Sequence, residues 1–136
     1  MGIRYRSGYK YQLASQHRVT ISIRPRNDII TKFIELDRKG RLLVKGGYAW
    51  DGPSGPVRDT PDSMRGSLVH DALYQLMRQR RISKKRWRDE ADFELKRICL
   101  ADGMSKRRAN RLYNGVRLFG DPNASPKNQK KIHTAP

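Results

Sequence analysis

Thr60-Pro61-Asp62-Ser63-Met64-Arg65-Gly66-Ser67-Leu68-Val69-His70-Asp71-Ala72-Leu73-Tyr74-Gln75-Leu76-Met77 is the stretch that decides the fold of this 136-residue chain. Val69, Ala72, Leu73, Leu76 and Met77 recur at i, i+3, i+4, i+7 and i+8, the spacing of one helix face, so the segment reads as a helix with a core stripe. Thr60 is a capping residue type and Pro61 suits the first helical position. Gly66 inside that helix costs about 1 kcal/mol relative to alanine. Close approach of the preceding loop, or of a ligand, to the backbone would explain it.

Upstream of the helix the pattern is β. Tyr9-Lys10-Tyr11-Gln12-Leu13 alternates, and Val19-Thr20-Ile21-Ser22-Ile23 is largely β-branched and stops before Pro25. Thr31 to Leu36 and Arg41 to Lys45 flank Asp37-Arg38-Lys39-Gly40, a hairpin pattern in which Gly40 supplies a positive φ. A small antiparallel sheet of three or four strands is expected over about 9–46. The segment 46–59, rich in glycine and proline, reads as a long specific loop, the kind of connection that often carries function.

Downstream, Ser83 caps a second helix with the stripe Trp87, Ala91, Leu95 and Ile98, ending near Asp102-Gly103. Ser105 caps a third, with Ala109, Leu112, Val116 and Phe119 inward and Gly120 at its end. The expectation is one α+β domain over 1–120, a small N-terminal sheet followed by a three-helix half over about 61–119. A basic mobile tail is expected over 121–136.

Hydrophobic residues make up 36% of the chain, which allows a modest core. The single cysteine, Cys99, excludes an internal disulfide framework and falls among apolar residues as a core thiol. No apolar run approaches the ~20 residues that span a bilayer, and no apolar segment follows the N-terminus as in a signal peptide. The formal charge is +17, from 30 basic and 13 acidic side chains. Such a surface attracts polyanions, whether nucleic acid, anionic lipid or acidic protein. Leu100 to Phe119 has the outline of a helix–turn–helix, with Gly103 in the turn and Arg107, Arg108 and Arg111 after it. A third packing helix with a wet basic face is the commoner form of such a pair.

His70 and Tyr74 share one helix face, while Asp71 is turned about 100° away. A metal on Asp71 would therefore sit beside the imidazole without being bound by it. That suits a hydrolysis in which histidine activates water and a metal polarises a carbonyl. A histidine base needs its second nitrogen held. Asp92 would do this if the first two helices pack antiparallel, with Asp89 as the reserve. As a plain surface group, Asp92 would instead pair with Arg88 or Lys96. Glycine-rich turns expose carbonyls, and calcium takes six to eight oxygens, so Gly52, Ser54 and Gly55 would complete a metal site with Asp51 adding a carboxylate. The bland reading makes Tyr48, Trp50 and the prolines a packed plug over the helices.

At these residues the chain resembles a family of uncharacterised bacteriophage and bacterial proteins, recognisable by the loop Tyr48-Ala49-Trp50-Asp51-Gly52-Pro53-Ser54-Gly55-Pro56 and the helix Arg65-Gly66-Ser67-Leu68-Val69-His70-Asp71-Ala72-Leu73-Tyr74. The match covers roughly residues 30–100 and implies a phage or prophage origin. More distantly, the chain resembles phospholipase A2, especially the disulfide-free form of parvovirus capsid proteins. That family pairs a glycine-rich calcium loop with a His-Asp-x-x-Tyr helix and a second helix bearing Ala-Asp-x-x-Phe. Here Gly52-Pro53-Ser54-Gly55, His70 to Tyr74, and Ala91-Asp92-Phe93-Glu94-Leu95 match, with leucine in place of the final phenylalanine. The resemblance implies that His70 activates water, Asp71 binds calcium, Asp92 orients His70 and Tyr74 supports the network. The N-terminal sheet departs from the phospholipase pattern.

The leading expectation is a phage-encoded, calcium-dependent, phospholipase A2-like hydrolase acting on anionic lipid of the host envelope. The alternative is a non-enzymatic virion or accessory protein whose basic surface contacts DNA or acidic protein neighbours. Hydrolysis of peptidoglycan is a third. The expected location is the virion or the host cytoplasm.

Overall fold

The computed structural model describes residues 2–6, 11–51 and 60–126. The fold is α+β. Its N-terminal part has strands β1 (Tyr5–Arg6), β2 (Tyr11–Leu13), β3 (His17–Thr20), β4 (Ile29–Ile30), β5 (Ile34–Leu36), β6 (Arg41–Val44) and β7 (Ala49–Trp50). The helices that follow are α1 (Pro61–Arg78), α2 (Lys84–Ala101), α3 (Lys106–Phe119) and the short α4 (Asp121–Ala124). The strands divide between two antiparallel sheets, β1-β2-β7 and β3-β6-β5-β4.

The expected hairpin is β5–β6, with Leu36 opposite Leu42. Asp37 holds its turn by accepting the Lys39 and Arg41 amides at 2.9 Å. Gly40 has φ +79°, and a Cβ there would lie 2.3 Å from the Ile21 carbonyl oxygen, so both conformation and space demand glycine. The segment 46–51, expected as loop, contributes β7, which pairs with β2 through Tyr11 opposite Trp50.

The helices start as expected. Ser63 Oγ accepts the Thr60 amide at 3.0 Å, and Ser83 and Ser105 accept the amides of Arg86 and Arg108 at 3.1 and 3.2 Å. Helix α1 is buried on nearly all sides, not only along its apolar stripe. It is the central element, packed between the strands, α2 and α4.

Helices α1 and α2 run antiparallel. Arg65 meets Asp102, Gly66 faces Cys99, His70 meets Asp92, and Tyr74 meets Arg88. The cause of Gly66 is therefore the neighbouring helix, not a loop or ligand: a Cβ there would stand 2.6 Å from Cys99 Sγ and 3.1 Å from the Leu95 carbonyl oxygen. Cys99 is a buried core thiol, its pKa pushed up to about 12 by burial. Helix α3 folds back along α2, closing a second apolar cluster of Leu95, Cys99, Met104, Ala109, Leu112 and Val116.

The C-terminal end of the fold also departs from expectation. Phe119 does not point inward; it is 71% exposed, beyond the last buried position of α3 at Val116. The expected tail does not begin at residue 121, because α4 packs on α1, Ala124 is fully buried, and Asp121 pairs with Lys84. Among the described residues no helix is long and apolar enough to cross a membrane.

Candidate functional site

Helix α1 aims His70 and Tyr74 at α2, with the two ring centroids 4.1 Å apart. Their common target is Asp92, which has no exposed surface. His70 Nε2 lies 2.7 Å from Asp92 Oδ1, and the Tyr74 hydroxyl donates to the same oxygen at 2.5 Å. Arg117, on α3, donates to Asp92 Oδ2 at 2.7 Å and reaches Asp89 at 2.8 Å. Asp92 is thus a buried junction of three helices and not a surface group, although Arg88 Nε does lie 3.9 Å from its Oδ2, the i,i+4 pairing that the sequence offers.

Burial by itself would raise the Asp92 carboxyl. The hydrogen bond and charge of His70, with the hydrogen bonds of Tyr74 and Arg117, outweigh it and hold the group below its ordinary value of 3.8. Asp92 is therefore an ionised acceptor at neutral pH. An ionised Asp92 fixes the tautomer of His70: Nε2 carries the hydrogen and donates it, leaving Nδ1 as the basic nitrogen. The Tyr74 phenol is pushed up by burial and by the neighbouring Asp92, so it stays protonated and donates.

Arg88 and Arg117 are the residues that sequence reading did not assign to this site. Arg88 donates to the Tyr74 hydroxyl at 3.2 Å and to the Val116 and Arg117 carbonyls at 2.7 and 3.0 Å, satisfying the C-terminal end of α3. Arg88 lies four residues before Asp92, a spacing visible in the sequence; nothing in the sequence singled out Arg117. Gly120 lets α3 close over the site, because a Cβ there would stand 2.8 Å from the Tyr74 hydroxyl oxygen.

Asp71 faces away from this cluster, as the helical period requires. Its carboxylate accepts the hydroxyl of Tyr48, which is also 3.3 Å from Gln75 Oε1. Burial, Asp71 and the charge of Asp51 push the Tyr48 phenol well up, so it remains a donor. One turn earlier, Trp50 is fully buried and donates from Nε1 to Ser67 Oγ at 3.1 Å. Tyr48 and Trp50 are packed against α1, while the prolines of the expected plug, Pro53 and Pro56, lie outside the described residues.

The expected metal site is only partly within the described residues. Gly52, Ser54 and Gly55 lie outside them. Asp51 is exposed, and Asp71 is engaged by Tyr48. Among the described residues no group of three or more His, Cys, Asp or Glu side chains is placed to hold a metal ion. The described donors do not by themselves compose the six to eight oxygens that calcium takes.

No family model, curated protein or solved structure matches this chain.

Proposed function

We propose that this protein is a phage-encoded ester hydrolase of the phospholipase A2 kind, acting on host envelope lipid as the phage enters or lyses its host. The reading is carried by one observation, the 2.7 Å contact between His70 Nε2 and an Asp92 that His70 itself, with Tyr74 and Arg117, holds ionised. His70 Nδ1 takes a proton from water, the water oxygen attacks the ester carbonyl carbon, and the proton passes to the departing alkoxide oxygen. Asp92 steadies the imidazolium formed between those transfers, and Tyr74 holds Asp92 in place. Bound calcium would stabilise the oxyanion; Asp71, Asp51 and the carbonyls of Gly52, Ser54 and Gly55 are the groups assigned to it in this reading.

The test is release of fatty acid from anionic vesicles, with and without calcium, by wild type and His70→Gln. Turnover lost by at least about 100-fold in a folded His70→Gln protein supports the base. Equal turnover by the two proteins removes it.

A second reading rests on the same junction. Asp92 joins α1, α2 and α3 through His70, Tyr74 and Arg117, which is also how a purely structural lock is built. The protein is then a non-enzymatic virion or accessory component. Vesicle hydrolysis absent from wild type, together with recovery of the chain in purified particles, favours it.

A further inference from the structure

We infer that the outward face of α3 is a docking surface for duplex DNA, an inference that stands under either reading above. The inward positions of α3 are Ala109, Leu112 and Val116. At 100° per residue the opposite ridge is Arg107, Asn110, Arg111, Asn114 and Leu118, and all five are exposed. Lys106 is exposed just beside it. Gly103 to Gly120 contains no acidic residue.

The ridge is cationic because its cations are not neutralised. Among the described residues, no ion pair joins Lys106, Arg107 or Arg111 to a carboxylate. The nearby carboxylates are engaged elsewhere: Asp62 with Arg108, Asp102 with Arg65, and Asp89 with Arg117 on the flank facing α2. Sequence alone grouped Arg108 with Arg107 and Arg111. The structure separates them, turning Arg108 inward to Thr60 and Asp62.

Shape and chemistry select the partner. The ridge runs about 16 Å from Arg107 to Leu118 at 1.5 Å per residue. A single exposed helix fits a major groove about 12 Å wide. Arginine meets phosphate or guanine and asparagine meets adenine edges, so alternating Arg and Asn suits a duplex surface. A helix lying in a lipid interface would carry a row of large apolar side chains along its outer face. Here the apolar row is spent on the core, and only Leu118 and Phe119 are exposed, both at one end. Helix α3 folds back along α2, with Arg117 on Asp89 and Lys96 over Tyr113, so the contact is a helical hairpin presenting one face, not the crossed pair expected of a helix–turn–helix.

The experiment is fluorescence anisotropy with a labelled 20-base-pair duplex across a salt series. It compares wild type, Arg107→Ala/Arg111→Ala, and Arg24→Ala/Arg26→Ala, which removes the same charge from the segment between β3 and β4. Circular dichroism establishes that each variant is folded. The ridge pair should lose about tenfold in affinity per arginine at about 0.1 M salt and about 2 from the salt slope. The control pair should change far less. Equal losses in both variants would mean diffuse charge and overturn the inference, as would wild-type affinity in the ridge pair or no duplex binding at all. Phosphatidylglycerol vesicles form the other arm. Ridge variants that lose vesicle binding while keeping duplex binding would assign the face to a membrane instead.

Discussion

Gly66 and Cys99 touch across the α1–α2 seam so closely that a methyl group on Gly66 would stand 2.6 Å from the sulfur. Alanine there gains helix propensity worth about 1 kcal/mol. It also forces apart two buried helices, and overpacking of that kind costs about 1–3 kcal/mol. Gly66→Ala should therefore lower the urea midpoint. Gly66→Ala/Cys99→Ala should recover part of the loss, because the nearest obstructing atom is gone while the Leu95 carbonyl remains. Additive losses in the two single variants would contradict this.

Asp92 is fully buried and its two oxygens serve three helices. Asp92→Ala leaves His70 Nε2 and the Tyr74 hydroxyl without their buried acceptor, while Arg117 keeps Asp89, and should destabilise by about 1–3 kcal/mol in chemical denaturation. Because the folded carboxyl titrates below its unfolded value of 3.8, its contribution is full above that pH and disappears as pH falls through the folded value. Wild type should lose stability steeply below about pH 4, and Asp92→Asn should flatten that part of the profile.

Tyr48 donates to Asp71, so the tyrosine and calcium compete for one carboxylate in the hydrolase reading. Tyr48→Phe should cost about 1 kcal/mol of stability. In calorimetry it should bind calcium at least as tightly as wild type, while Asp71→Asn should lose binding. No saturable calcium heat in wild type removes the metal from the reading and leaves the His70 base to be judged by vesicle hydrolysis.

His17 is buried on β3, and its Nε2 has no hydrogen-bond partner among the described residues. Burial and the charge of Arg65 lower its pKa, against the opposing charge of Asp102. A histidine depressed below 6.5 contributes fully above that pH and loses its contribution as pH falls through the folded value. The urea midpoint of wild type should drop between pH 7 and pH 5. His17→Leu should shrink that drop, and an unchanged profile would show that His17 does not set it.

Much of this architecture was legible because it is written in local patterns. The helix stripes, the serine and threonine caps and the Asp37–Gly40 turn each depend on residues within a few positions of one another. The His70–Asp92 pair was legible at longer range because antiparallel packing follows from the short connection between α1 and α2. Arg117 was not, since its role depends on the angle at which α3 returns along α2. The division into two sheets also escaped, because β2 pairs with β7 across 36 or more intervening residues, a partnership no local pattern records. Glu94 is buried and accepts the Ser22 amide at 2.9 Å, tying the chain after β3 to α2, another contact that no local pattern records.

The pairing of β2 with β7 encloses the whole four-stranded sheet between two neighbouring strands. That nesting imposes an order of assembly. The β5–β6 hairpin closes a short loop and can form early; β7 can find β2 only after the intervening chain has compacted, because closing a longer loop costs more entropy. Trp50, which lies on that last strand, and Tyr48, just before it, fasten the strands to Ser67 and Asp71. The seam between the strands and α1 is therefore a late event in folding, and slow refolding phases should be read first in the fluorescence of Trp50.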